Sequence, residues 1–307
     1  MTRGFITIAT GKEMYYQLAR NLLQSYKLYC DAPYPFAIMC DRENEYTNLF
    51  DCVIVLENAQ KNYFDKFELL IHSPYDETIF IDSDCLAYAD LNHYWDYFSG
   101  ADDFSAGGYN FPINSPDGLF WADSIGDYKN RIKWKPSIHG GLYFIRRGKK
   151  CDAIYAEYQN IMRHYSEYQW PDYCVDEPIF GLAMAAHDCR AIEEDPANYI
   201  YPWLTITLKC DILSGKCSYV TNEHIIVEQG RMIHWSVRNC QKPLYRFEVE
   251  KLNLMLKNNL RPDKNGVSLN LLDTLLYKYK LRYDYLCLKD FMIRAVRKLF
   301  RILGFRR

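Results

Sequence analysis

The sequence predicts an α/β protein: a mixed, mostly parallel sheet with helices on both faces, followed by a C-terminal helical tail. Three observations lead there. The apolar runs of the first eighty residues are short and unbroken, as strands buried on both faces read. Strand patterns alternate with helix patterns, which is the mark of β-α-β units. The 307 residues, 49% hydrophobic and 25% charged, are enough to bury one sizeable catalytic domain with an appendage.

Phe5-Ile6-Thr7-Ile8-Ala9 is the first strand, and Tyr15, Leu18, Ala19, Leu22 and Tyr26 then recur at helical spacing. Further strands are predicted at Phe36 to Cys40, Val53 to Leu56, Thr78 to Ile81 and Leu142 to Ile145. Ile154, Tyr158, Ile161, Met162 and Tyr165 mark one face of a second helix. Thr205 to Lys209 and Cys217 to Val220, joined through Leu213-Ser214-Gly215-Lys216, read as a hairpin. Arg261-Pro262-Asp263-Lys264-Asn265-Gly266 reads as a linker, which divides a catalytic domain, 1–260, from a tail, 261–307.

In the tail, Leu281, Tyr285, Leu288, Met292, Ala295, Leu299 and Ile302 recur at helical spacing with Lys and Arg on the other faces. The net charge of -2 hides an asymmetry: residues 278–307 carry +8 and the rest of the chain -10. A basic amphipathic helix predicts attachment to an anionic membrane surface, with docking on the catalytic domain as the alternative. Nucleic acid is not an expected partner, because no basic motif with interleaved stacking aromatics accompanies the acidic body. The eleven cysteines show neither a CxxC pair nor zinc-ligand spacing, so reduced thiols and a cytoplasmic setting are expected. The first residues show no long apolar segment of a signal peptide, and no stretch approaches eighteen uninterrupted apolar residues.

The strongest chemical signal is Thr78-Ile79-Phe80-Ile81-Asp82-Ser83-Asp84-Cys85-Leu86. Two carboxylates one residue apart at the end of a buried strand can converge on a hard divalent cation, and open α/β sheets bind ligands at the carboxyl ends of their strands. A solvated turn ending a strand would carry the same residues.

Ile79-Phe80-Ile81-Asp82-Ser83-Asp84, with Ala89-Asp90-Leu91 and Trp95 after it, resembles the DxD segment of glycosyltransferase family 8. That resemblance implies the GT-A fold and a metal-dependent transferase that moves a hexose from a nucleotide-diphosphate sugar, UDP-glucose or UDP-galactose, to a saccharide or glycolipid. It puts Mn²⁺ or Mg²⁺ on Asp82 and Asp84. Ile8-Ala9-Thr10-Gly11-Lys12-Glu13-Met14-Tyr15 is similar to the family's first strand and loop, so Ala9, Thr10 and Tyr15 are expected at the nucleotide, with Tyr15 stacking on the base or else extending the apolar helix face. Asp65-Lys66-Phe67 matches the segment that sets a cation against the donor phosphates, and Ser83 lies within the motif at the donor.

His139-Gly140-Gly141-Leu142 resembles the strand lining the donor-sugar pocket, where Gly141 permits close approach. Asp176-Glu177-Pro178 stands where the family has Asp-Gln-Asp at the transferred sugar, so Asp176 and Glu177 are the catalytic candidates, although Asp176 would also suit a helix N-cap. Ile233-His234-Trp235-Ser236 with Lys242-Pro243 resembles the His-aromatic motif ending in Lys-Pro, which makes His234 a third metal ligand and Lys242 a diphosphate contact. This sequence has no glycine between them and two extra residues, leaving Arg238 to share the role of Lys242.

Retention of anomeric configuration is implied by the resemblance alone, and an inverting GT-A enzyme would carry the same DxD. A sugar nucleotidyltransferase should have a glycine-rich basic loop where Thr10-Gly11-Lys12-Glu13-Met14 stands. A non-catalytic nucleotide-sugar-binding protein would keep Tyr15 and the DxD and lose the histidine or the sugar-pocket carboxylates.

Overall fold

The computed structural model describes residues 1–170, 176–262 and 267–302, with side chains through 298 apart from that of Ala122. Four parallel strands, β1 (Arg3–Ala9), β2 (Phe36–Cys40), β3 (Cys52–Val55) and β4 (Glu77–Ile81), form half of the central sheet. The short β5 (Cys85–Ala87) leaves it. The other half is β6 (Phe104–Pro112) and β7 (Trp134–Arg146), antiparallel to each other, with β8 (Ile192–Glu193) parallel to β6 at the edge. The complete order is β3-β2-β1-β4-β7-β6-β8, and β7 joins the halves by pairing antiparallel to β4.

Alternation along the strands explains the layers. Phe5, Ile38, Ile79, Ile81 and Phe144 face helix α1 (Glu13–Tyr29), which buries Tyr16, Ala19, Leu22, Leu23 and Tyr26 against them. Ile6, Met39, Phe80, Tyr143 and Ile145 face the opposite side, where α2 (Lys149–Arg163) and α3 (Asp176–Ala186) supply Ile154, Tyr158, Ile161, Ile179 and Phe180. With both faces dry, a strand reads as a continuous apolar run. Gly181 lets α3 approach β7, since a Cβ there would lie 2.7 Å from the Pro136 carbonyl.

A smaller layer packs beside the sheet. The predicted hairpin is present as β9 (Thr205–Asp211) and β10 (Lys216–Thr221), extended by β11 (Ile226–Val227). β12 (Met232–His234) pairs antiparallel with β5, and α4 (Pro243–Lys257) adds Leu252 and Met255 to a third core with Leu86, Tyr88, Ile212 and Trp235. The tail forms α5 (Leu281–Ile302). Its first turns dock on α4: Leu286 is fully buried, Tyr283 meets Phe247 at 5.5 Å between ring centroids, and Arg282 forks onto Glu250 at 2.7 and 2.9 Å. Farther along, Leu288, Phe291, Met292 and Val296 are exposed. No helix among the described residues is long and apolar enough to cross a membrane.

Two sequence expectations were incomplete. β7 is thirteen residues long and begins at Trp134, not Leu142, and β6 was not anticipated. Residues 263–266 of the expected linker lie outside the described residues.

Candidate functional site

The site forms where β4 ends. Asp82 follows Ile81 and its backbone N–H donates to the Gly141 carbonyl of β7 at 3.0 Å, so the antiparallel neighbour fixes the turn. The next strand brings in the histidine from far along the chain: β5 and β12 pair Cys85 with His234, and the Trp235 N–H donates to the Asp84 carbonyl at 3.0 Å. His234 Nε2 therefore lies 2.9 Å from Asp84 Oδ1 and 3.6 Å from Asp82 Oδ2. Gly141 makes room for the ring, because a Cβ there would sit 2.4 Å from His234 Nδ1.

Lys66 is held from another direction. It belongs to a 3₁₀ turn, Tyr63–Glu68, that is clamped by Phe67, whose ring stacks between Tyr158 and Phe180 with both centroids at 3.7 Å. Asp65 pins the preceding loop by accepting from Thr10 Oγ1 at 2.8 Å and from the N–H groups of Gln60 and Lys61 at 2.7 and 2.8 Å. The Lys66 ammonium bridges Asp82 at 3.0 Å, Asp176 at 2.9 Å and the Gly140 carbonyl at 2.9 Å. Asp176 also accepts from Tyr143 Oη at 3.0 Å, so its side chain turns into the site. Glu177 accepts from the Gly140 N–H at 2.9 Å.

Burial and mutual charge set the electrostatics. Burial would raise the Asp84 carboxyl, but the His234 imidazole beside it holds it below the ordinary range. For Asp82 burial prevails over Lys66 and His234, and its affinity for a proton is raised. Burial works against a charged His234, yet Asp84 raises it above an ordinary histidine. Glu177 is raised by burial first and by the charge of Asp176 second. Lys66 is desolvated, and Asp176 and Asp82 more than offset that, keeping it a firm cation.

Two cavities meet at these residues. One of about 270 Å³ is lined by Thr10, Tyr15, Asn62, Tyr63, Ser83 and Asp84, on the side of β1 and its loop. The other, about 770 Å³, is walled by Lys66, Asp176, Glu177, Tyr201, Trp203, His234 and Arg238. Most of the residues singled out in the sequence thus converge. Ala9 keeps its side chain in the α1-facing core at the end of β1. Lys242 does not converge: it is exposed just before α4 and lines neither cavity, whereas Arg238 and Gln241 of the same stretch do. Sequence reasoning missed Tyr201 and Trp203, whose only signal was the alternation Tyr199, Tyr201, Trp203.

The donor set fits a divalent cation. His234 Nε2 faces Asp84 at 2.9 Å and Asp82 at 3.6 Å on the wall of the wider cavity, and both carboxylates line the two cavities. Asp84, Cys85 and His234 offer ligand atoms within 4.8 Å of one another.

No family model and no curated protein sequence matches the chain. Solved structures do. The apo structure of WbbM, a bifunctional glycosyltransferase, superposes with a TM-score of 0.50 at 12% identity over 79% of this chain and 46% of WbbM, so the chain spans about half the length of that protein. An active-site glutamine-to-glutamate mutant of LgtC superposes with a TM-score of 0.52 at 12% identity, covering 88% of this chain and 98% of that one. The likeness is one of architecture, and it agrees with the resemblance carried by the sequence motifs: the chain has the α/β GT-A fold of glycosyltransferases.

Proposed function

We propose that the protein is a metal-dependent, retaining glycosyltransferase that moves a hexose from a UDP-sugar to a saccharide or glycolipid acceptor. The observation that carries this reading is the convergence of Asp82, Asp84 and His234 at the carboxyl end of β4, between a cavity lined by Thr10 and Ser83 and one lined by Asp176 and Glu177. Ligands of open α/β sheets bind at such strand ends. In this reading Asp82, Asp84 and His234 hold the cation, which when bound neutralises charge on the departing diphosphate.

The chain's own groups would do the rest. Thr10 and Tyr15 receive the nucleotide, with Ser83 beside them. Lys66 and Arg238 supply positive charge around the diphosphate, and charge fixed in advance in a dry site stabilises a developing anion far better than water does. Glycines 140 and 141 bring the β7 backbone close to the transferred sugar. Glu177, which accepts from the Gly140 N–H, would stabilise an oxocarbenium-like transition state through its charge. Retention then proceeds by attack of the acceptor on the face that the diphosphate leaves, with no protein nucleophile.

The exposed apolar residues of α5 and the basic character of 278–307 support attachment to an anionic membrane surface at the cytoplasmic face. The experiment is to incubate the protein with UDP-glucose and UDP-galactose in Mn²⁺ and follow UDP release, since slow donor hydrolysis needs no acceptor. Release that EDTA and Asp84→Asn both abolish is the expected result. No release from either donor, with UDP binding indifferent to Mn²⁺, overturns the reading.

A further inference from the structure

Among the walls of the wider cavity are two aromatic residues, Tyr201 and Trp203, to which the reading above gives no role. Tyr201 lies against His234, ring centroids 4.4 Å apart and planes 34° from parallel, and Trp203 lies against Tyr201 at 4.3 Å and 30°. The three rings run outward from the candidate metal ligands to the mouth, where the indole is 50% exposed. An exposed aromatic by itself carries no meaning. This one walls a cavity and lies against a second ring.

The backbone that bears it is fixed on both sides. Leu204 N–H donates to the Tyr201 carbonyl at 2.9 Å within a 3₁₀ turn, Thr205 Oγ1 donates to the Pro202 carbonyl at 2.8 Å, and Asn222 supplies its side-chain amide to the Trp203 carbonyl at 3.3 Å and its N–H to the Leu204 carbonyl at 2.9 Å. A ring held in place beforehand loses little entropy when a ligand covers it. Glu177, Arg238 and Gln241 line the same cavity, so its wall includes residues bearing a carboxylate, a guanidinium and an amide.

A flat apolar ring ringed by hydrogen-bonding groups matches a pyranose, which has one face of C–H groups and a rim of hydroxyls. A nucleobase would also stack on an indole. However, Thr10 and Ser83 line only the narrower cavity, and Trp203 and Glu177 only the wider one. We propose that Trp203, backed by Tyr201, is the stacking platform for the terminal hexopyranose of the acceptor, and so a specificity-determining residue. This rests on the transferase reading above.

The test separates the two. UDP binding with Mn²⁺ is measured by calorimetry, and contact of lactose and of maltose by saturation-transfer NMR, with and without UDP. The expected result is saturation of the ring C–H protons of at least one disaccharide. Trp203→Ala should weaken that contact roughly tenfold, the size of one stacking interaction, and Trp203→Phe should largely restore it. UDP affinity should be unchanged in both variants. Loss of UDP affinity in Trp203→Ala would make the indole a nucleobase platform and overturn the proposal. So would saturation unaffected by Trp203→Ala, or no saturation of either disaccharide by the wild type. Failure of UDP to bind the wild type while a disaccharide still contacts Trp203 would sink the transferase reading and leave the sugar platform standing.

Discussion

Glu177 concentrates the chemistry of the proposed site in one side chain. In a double displacement it would be the nucleophile, and in front-face attack it only stabilises charge. Glu177→Gln keeps the acceptor for the Gly140 N–H but removes the charge, so a moderate fall in UDP release, roughly 10–100-fold, is expected. A loss of several orders of magnitude with donor affinity intact would make it the nucleophile. The same variant has a stability signature. Because burial raises its carboxyl above the ordinary 4.5, the folded protein binds that proton more tightly than the unfolded chain. Stability is therefore lost as pH rises from the ordinary value through the raised one. Glu177→Gln should melt higher than wild type at pH about 8 and show no gain at pH about 4, as thermal scans at both values would reveal. Gly141→Ala probes the same pocket from the metal side. Its Cβ would lie 2.4 Å from His234 Nδ1, so the ring must move, and Mn²⁺-dependent UDP affinity should drop roughly 10–100-fold in a folded protein.

At the scale of elements, what was legible follows local chemistry. β1, β2 and β4 read clearly as apolar runs because both of their faces are buried. β6 and the first half of β7 did not, because Gly107, Gly108, Gly140 and Gly141 are poor strand residues that serve close contacts. A Cβ at Gly108 would lie 2.1 Å from the Ser137 carbonyl. The site strands were thus hardest to read where they approach other groups most closely. The pairing of β5 with β12 was also hidden, since nothing local in Met232-Ile233-His234 names its partner; only the likeness to a motif joined His234 to Asp84. The tail helix divides into a docked and an exposed part. Leu286→Ala should cost at least about 2 kcal/mol where the chain cannot close the void and speed hydrogen exchange in 281–298. Leu288→Glu with Met292→Glu should leave the fold intact. It should also release the protein from anionic liposomes, with which the intact chain is expected to co-sediment at low salt and less so at high salt. Failure of the intact chain to co-sediment would remove the membrane role from α5.

Across the whole molecule, the parallel half-sheet presents the carboxyl ends of β1 and β4 to one rim, and β7 and α3 bring the second half of the site to the same rim. Residues as distant as Thr10, Lys66, Asp84, Asp176 and His234 meet there because three buried layers hold that rim rigid. Sequence motifs identified all five of these residues, but not the company Lys66 keeps. With no donor present its ammonium stands 3.0 Å from Asp82 and 2.9 Å from Asp176, an internal counter-ion within the candidate cation site. On the proposed reading a divalent ion held by Asp82 would compete with Lys66 for that carboxylate, and a lysine so freed would be available to a diphosphate. The two ligands should then be thermodynamically linked, each tightening the other by the same factor, a coupling of about 1–3 kcal/mol. Calorimetric titration of Mn²⁺ with and without UDP measures that factor directly. Lys66→Met should shrink it while strengthening Mn²⁺ binding to the protein alone, which would make this lysine a gatekeeper that keeps the site closed to stray cations until the sugar nucleotide arrives.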